Sequence, residues 1–202
     1  MTHHNNDGVV RSMHKAVASR LEQPASVPVP IEKIVSEQKI RVIEEWDTPG
    51  RFEALSIFRD TQHYIVLNGR LSHAAQRFAL AHELAHGWFH RPHLSGVHSG
   101  RDYAAHPYYP LFEREANIAA AAILLPHDWF ITVAEQLLPS RPLTIREFKD
   151  FMASSVARDW ARQAAVSNNV LGYHLIDLGY APRVPTFRTP PAASESAPPN
   201  LP

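Results

Sequence analysis

The chain has 202 residues, with 20 basic and 20 acidic side chains, 13 histidines and no cysteine. Balanced charge gives no electrostatic reason to expect a nucleic-acid partner, and the missing thiols exclude disulfides, cysteine nucleophiles and cysteine-containing metal sites, leaving His and carboxylate as the strong metal ligands. No apolar run is long enough to span a bilayer, and the N-terminal residues lack the apolar core of a signal peptide, so a cytoplasmic protein without membrane contact is expected.

Residues 9–21 place apolar side chains at helical spacing and predict a helix, so that 1–22 reads as an N-terminal helical segment. Pro24, Pro28 and Pro30 steer the residues before them away from helix, and make 23–30 an extended connector. A short helix over 31–37 then leads into three strand candidates, 39–46, 52–58 and 62–67, separated by turn signals at 47–50 and 68–69. This order predicts an α+β fold: a small three-stranded sheet packed on helices. The last strand, with Tyr64, Val66 and Asn68, is a candidate edge strand that could hold an extended peptide by main-chain hydrogen bonds.

The next helix carries the most informative residues. Ser72 is a suitable N-cap, and Ala75, Phe78, Ala79, Ala81, Leu84, Ala85 and Trp88 make a buried apolar helix. Inside it stands His82-Glu83-Leu84-Ala85-His86, an HExxH. Positions four apart share a helix face, so His82 and His86 can bind one metal while Glu83 projects beside the open coordination position. Zinc held there lowers the pKa of a coordinated water, and a carboxylate beside it can act as general base. In a chain with 13 histidines a bare HExxH carries limited weight. Its setting raises that weight, because a Glu and two His in an apolar helix are costly unless they meet a metal or one another.

A catalytic zinc needs a third protein ligand and one open position. One known pattern would put a glycine and a histidine at positions 89 and 92, where this chain has Phe89 and Pro92, so it fails. His90 lies four residues after His86, but on a continuous α-helix it would sit about 12 Å from His82 along the axis, too far for one ion. A capping or surface role is expected for it. A Glu from a second helix is the remaining source. Residues 113–126 form an Ala-rich helix closed by Pro126, with Glu113 and Asn117 on one face and Glu115 pointing elsewhere. Glu113 is the expected third ligand, and Asn117 can hydrogen-bond a ligating His from behind.

Between the two motif helices, 93–110 reads as a loop over the site. His106 and Tyr109 are candidate donors to a developing oxyanion, a group that supplies a large share of the barrier reduction in such chemistry. Helices then follow over 127–138, 144–154 with Thr144 and Glu147 as a capping box, 156–165, and 167–178 closed by Gly179. Residues 164–167 resemble a helix-turn-helix corner. The helix after it has no Lys or Arg, so it lacks the phosphate-binding charge that drives DNA affinity. Residues 143–180 are therefore expected to form a helical subdomain that helps grip a protein substrate, with Tyr173 or His174 as further oxyanion candidates. The tail, 181–202, is rich in Pro, Ala and Ser and has no core to bury.

The run from Arg77 to His86, the Glu113-Arg114-Glu115-Ala116-Asn117 segment, and Ala120, Leu124, Leu125 and Pro126 together resemble the ImmA/IrrE family of metallopeptidases. The resemblance covers 28–126 well and the remainder loosely; Ala79 and Ala85 depart from its usual residues without touching metal chemistry. It implies a zincin-like domain over 28–138 of the gluzincin type, with zinc as cofactor, His82, His86 and Glu113 as ligands and Glu83 as general base. It also implies the substrate class: a helix-turn-helix repressor, whose cleavage derepresses genes. Two other classes stay open, a regulator that binds a repressor without cutting it, and a DNA-binding regulator using residues 156–178.

Overall fold

A computed structural model describes residues 4–21, 27–46, 52–59, 61–93 and 107–182. Among the described residues the chain forms two compact units, one built from the residues up to Pro30 together with those from Ala121 to Pro182, the other from Ile31–Ala120. The N-terminal helix thus belongs to the same unit as the C-terminal helices, and the division falls between residues 120 and 121.

The Ile31–Ala120 unit holds the sheet: β1 (Arg41–Glu45), β2 (Ala54–Arg59) and β3 (Gln62–Asn68), in the order β1-β3-β2. β1 runs parallel to β3, with Ile43 opposite Val66, and β2 runs antiparallel to it, with Leu55 opposite the same residue. Ile65, Val66 and Leu67 are all buried, the near-continuous apolar run of a strand covered on both faces. β3 is therefore the central strand, which corrects the expectation of an edge. Both of its hydrogen-bonding sides are taken, so Tyr64, Val66 and Asn68 cannot pair with an added peptide, and the sheet's edges are β1 and β2. The Asn68 side chain is also engaged, donating to the Phe52 carbonyl and accepting from the Arg70 N–H.

Two helices position the site in this unit, after the short α2 (Ile31–Glu37). α3 (His73–Ala85) starts at Ser72, whose hydroxyl accepts from the Ala75 N–H. Every residue from Arg77 to Ala85 is buried, the signature of a core helix. The one permanent cation among them, Arg77, pairs with Glu32 of α2 at 3.2 Å. Past Ala85 the helix does not continue as α: His86–His90 forms a π-turn, in which the Arg91 N–H reaches back to the His86 carbonyl, followed by a 3-10 turn at Arg91–His93. α4 (Tyr109–Leu124) supplies the second set of site residues from its first three turns.

The other unit is helical: α1 (His4–Ala18), α5 (His127–Leu137), α6 (Ile145–Ala153), α7 (Ser155–Gln163) and α8 (Asn168–Asp177). Its local signals act as expected. Thr144 and Glu147 form a reciprocal capping box, Ser154 and Ser167 cap the next two helices, and Gly179 takes the left-handed backbone (φ +81°) that ends α8. Phe130, Phe148, Trp160, Leu171 and Leu175 are fully buried, and the Phe130 and Trp160 rings stack at 4.7 Å. Among the described residues no single helix is long and apolar enough to cross a membrane.

Residues 94–106 of the predicted loop, with His106, and the segment from residue 183 on lie outside the described residues, while Tyr109, expected in that loop, begins α4.

Candidate metal centre

α3 and α4 bring three ligand-type side chains to one point. His82 and His86, one turn apart on α3 and its π-turn, place their Nε2 atoms 3.0 Å apart. Glu113, in the second turn of α4, sets one carboxylate oxygen 3.4 Å from the His82 nitrogen and the other 3.2 Å from that of His86. All three residues are buried. Four ligands held tetrahedrally at about 2.0–2.1 Å from a zinc lie roughly 3.3 Å from one another. The 3.0 Å nitrogen–nitrogen separation and the two Glu113 contacts, one to each carboxylate oxygen, are near that length, so the donor set suits a metal such as zinc and the group could bind one.

Electrostatics favour positive charge at the cluster. Burial alone would raise the Glu113 carboxyl, but hydrogen bonds from His82 and His86, and their charge, overcome it and hold Glu113 well below the usual carboxylate range. Burial likewise works to lower His82, yet its hydrogen bond to Glu113 and the charges of Glu83 and Glu113 raise it above its ordinary value. Two imidazole nitrogens and a carboxylate at these distances can share a proton or a metal.

The polar atoms behind the cluster set which nitrogen faces inward. Asn117, one turn beyond Glu113, has its Oδ1 3.1 Å from His82 Nδ1. A carbonyl oxygen can only accept, so His82 donates from Nδ1, and its Nε2 is the nitrogen that faces Glu113 and could ligate a metal. On the other side, His86 Nδ1 lies 2.8 Å from His90 Nδ1, and His90 Nε2 lies 3.1 Å from Glu115 Oε2. His90 is 1 % exposed and its ring stacks on Phe112 at 4.7 Å. The surface or capping role expected for it is therefore wrong, because the π-turn keeps its ring beside His86 and inside the core. Burial first, then the charges of His86 and His82, push His90 down to about 3, so it stays neutral.

Three further residues went unnoticed in the sequence. His63 of β3 lies under the turn. Its Nε2 is 2.9 Å from Ser56 Oγ, which also donates to the Glu83 carbonyl, and a Cβ on Gly87 would come within 2.8 Å of its ring. Gly87 is thus required by close packing. Burial, then Arg91 and His86, lower His63 to about 4. Glu53, just before β2, is within electrostatic reach of His82, and burial raises its carboxyl against that attraction. A lone His or Glu in a strand-forming segment carries no local signal of this kind.

The remaining candidates separate clearly. Glu83 is buried next to His82 on α3. Tyr109 is half-buried, four residues before Glu113 and on the same face of α4. Tyr173 is half-buried in α8. His174 is buried in the helical unit against Phe130, at 4.5 Å edge-on, and His14, at 5.2 Å stacked. It is 1 % exposed and belongs to the helical unit, not to the unit that holds the metal centre.

Comparison with known proteins places this geometry. No curated protein matches the chain. Among solved structures, a Mycobacterium tuberculosis transcriptional regulator is similar in fold, with a TM-score of 0.53 and 15 % sequence identity over 90 % of this chain. The chain spans about half, 49 %, of that protein's length. A peptidase family model, described as the IrrE N-terminal-like domain, matches residues 35–173. That match covers most of the chain and takes in both motif helices with His82, Glu83, His86 and Glu113, so the protein belongs to the IrrE N-terminal-like family of peptidases.

Proposed function

We propose that the protein is a zinc-dependent metalloendopeptidase that hydrolyses a peptide bond in a protein substrate, with a helix-turn-helix repressor as the substrate class. The observation that carries this reading is the convergence of His82, His86 and Glu113 at zinc-ligand spacing, with Glu83 adjacent. The substrate class rests on the family resemblance, and the name of the similar solved structure, a transcriptional regulator, is in keeping with a role in gene control.

When bound, zinc polarises the scissile carbonyl and supplies a water of near-neutral pKa. The chain's own residues do the rest. Glu83 accepts the proton of the attacking water and returns it to the leaving amine, which a carboxylate held beside the reacting oxygen is suited to do. Asn117 and the His90-Glu115 pair keep the two imidazoles facing inward. Tyr109 is the described residue best placed to donate to the oxyanion, since it shares the Glu113 face of α4. Burial of the ligands keeps competing solvent from the centre and strengthens each charge interaction there.

The test compares new protein N-termini in cells expressing wild type and Glu83→Gln, a change that keeps every ligand and removes the base. A new terminus inside a helix-turn-helix repressor, seen only with wild type, supports the protease. If no terminus differs while both proteins alter transcription equally, the site binds a repressor without cutting it.

A further inference from the structure

β1 leaves one side of the sheet open. In the order β1-β3-β2 its inner side pairs with β3, and among the described residues no strand lies beyond it. The backbone groups along such an edge are a template for a further strand. β1 also shows apolar surface to water: Val42 is 41 % exposed and Ile43 45 %, and Trp46, just past the strand, is 53 % exposed. Charged side chains ordinarily protect an edge of this kind from association. In Arg41-Val42-Ile43-Glu44-Glu45 their positions instead fit one particular partner, the same strand turned around.

We propose that the outer edge of β1 pairs antiparallel with β1 of a second copy of this chain, centred on Ile43, and joins the two three-stranded sheets into one. In a two-fold contact each residue faces the one equally far from the centre on the other side. Centred on Ile43, Arg41 of each copy stands opposite Glu45 of the other, with Ile43 against Ile43 between the two pairs, all on the sheet face where Arg41 lies over the Tyr64 ring at 5.8 Å. On the opposite face Val42 meets Glu44, and Ile40 and Trp46, flanking the strand, come opposite each other. No like charges are opposed. A shift of the centre by one residue loses this match: about Val42, Arg41 faces Ile43, and about Glu44, the two Glu44 side chains face each other. Opposed residues of opposite charge, or both apolar, stabilise an antiparallel pair, and like charges destabilise it. The two-fold also closes the contact after two chains, so the edge does not propagate into a fibre. The pairing uses no residue of the metal centre and stands whether or not that centre holds zinc.

The test measures association of the full chain by analytical ultracentrifugation over a concentration series, for wild type, Arg41→Glu, Glu45→Arg and the double exchange. Expected is a concentration-dependent monomer–dimer equilibrium in wild type, a dissociation constant weaker by about tenfold or more in each single variant, and recovery to within about threefold in the double exchange. The register is read separately, since the chain has no cysteine of its own. Directly opposed residues have Cα atoms about 4.5–5.5 Å apart, within reach of a disulfide, whereas diagonal neighbours at about 7–8 Å are not. Under air oxidation Ile43→Cys should therefore form a covalent dimer and Val42→Cys should not. A wild type that stays monomeric up to about 1 mM, single variants that dimerise as wild type does, a double exchange that fails to recover, or equal cross-linking from positions 42 and 43 overturns the proposal.

Discussion

Each unit of the protein buries a group of histidines, and the two groups differ in everything except residue type. In the helical unit, His14 and His174 stack at 5.2 Å, and the Nε2 atom of each is buried without a hydrogen-bond partner. Burial, then the charge of His127, lowers His14 to about 4, and burial, then His14 and His127, holds His174 well below its ordinary value. Those rings are neutral packing material. In the sheet unit, His82 and His86 face Glu113 and are backed by Asn117 and His90. There the carboxylates reverse the effect of burial and raise His82. A buried histidine becomes a ligand through its partners: an acceptor behind Nδ1 to set the tautomer, and an anion in front of Nε2 to share the cation.

The strongest way to sharpen that contrast is to remove the base. Glu83→Gln should lower turnover by about 10²–10⁴-fold in a peptide-cleavage assay, with zinc content unchanged. Next comes the acceptor behind His82. Asn117→Ala should weaken zinc binding by about 10–100-fold in chelator competition, whereas His14→Ala should leave it as in wild type. Equal losses from both substitutions would erase the distinction between the groups. Gly87→Ala forces a methyl to within 2.8 Å of the His63 ring, and overpacking of this kind should cost about 1–3 kcal/mol of stability, read as a lower urea midpoint.

The comparison also bears on the response to acid. His14 has a folded-state pKa of about 4 against 6.5 unfolded, so below pH 6.5 the unfolded chain takes up a proton that the folded chain refuses. Its contribution to stability is complete above pH 6.5 and is lost as pH falls towards 4. His14→Leu should therefore flatten the fall in urea midpoint over that window; an unchanged slope would show that the ring is not the group responsible.

What the sequence made legible follows the range of the interactions. Ser72 and the Thr144-Glu147 box are signals read within four residues, and both helices start where those residues stand. The HExxH and the Glu113-Asn117 pair are read from helical spacing, which the fold keeps. The three strands fall within two residues of their expected limits, but their order was not legible. Pairing of β1 with β3 is a long-range choice, and it turned a presumed edge into the centre. His90 was misjudged because a continuous α-helix was assumed, and a π-turn has no local signature in His86-Gly87-Trp88-Phe89-His90. A histidine on a helix reads the same whether it faces a cleft or, as His174 does, packs on Phe130.

The most direct test of the account is zinc stoichiometry by native mass spectrometry after reconstitution, for wild type, Glu83→Gln, His86→Ala, Glu113→Ala and His174→Ala. The account predicts one zinc per chain in wild type, Glu83→Gln and His174→Ala, and none in His86→Ala or Glu113→Ala. Zinc retained at full stoichiometry by His86→Ala and Glu113→Ala, or lost in His174→Ala with the fold intact, would contradict it.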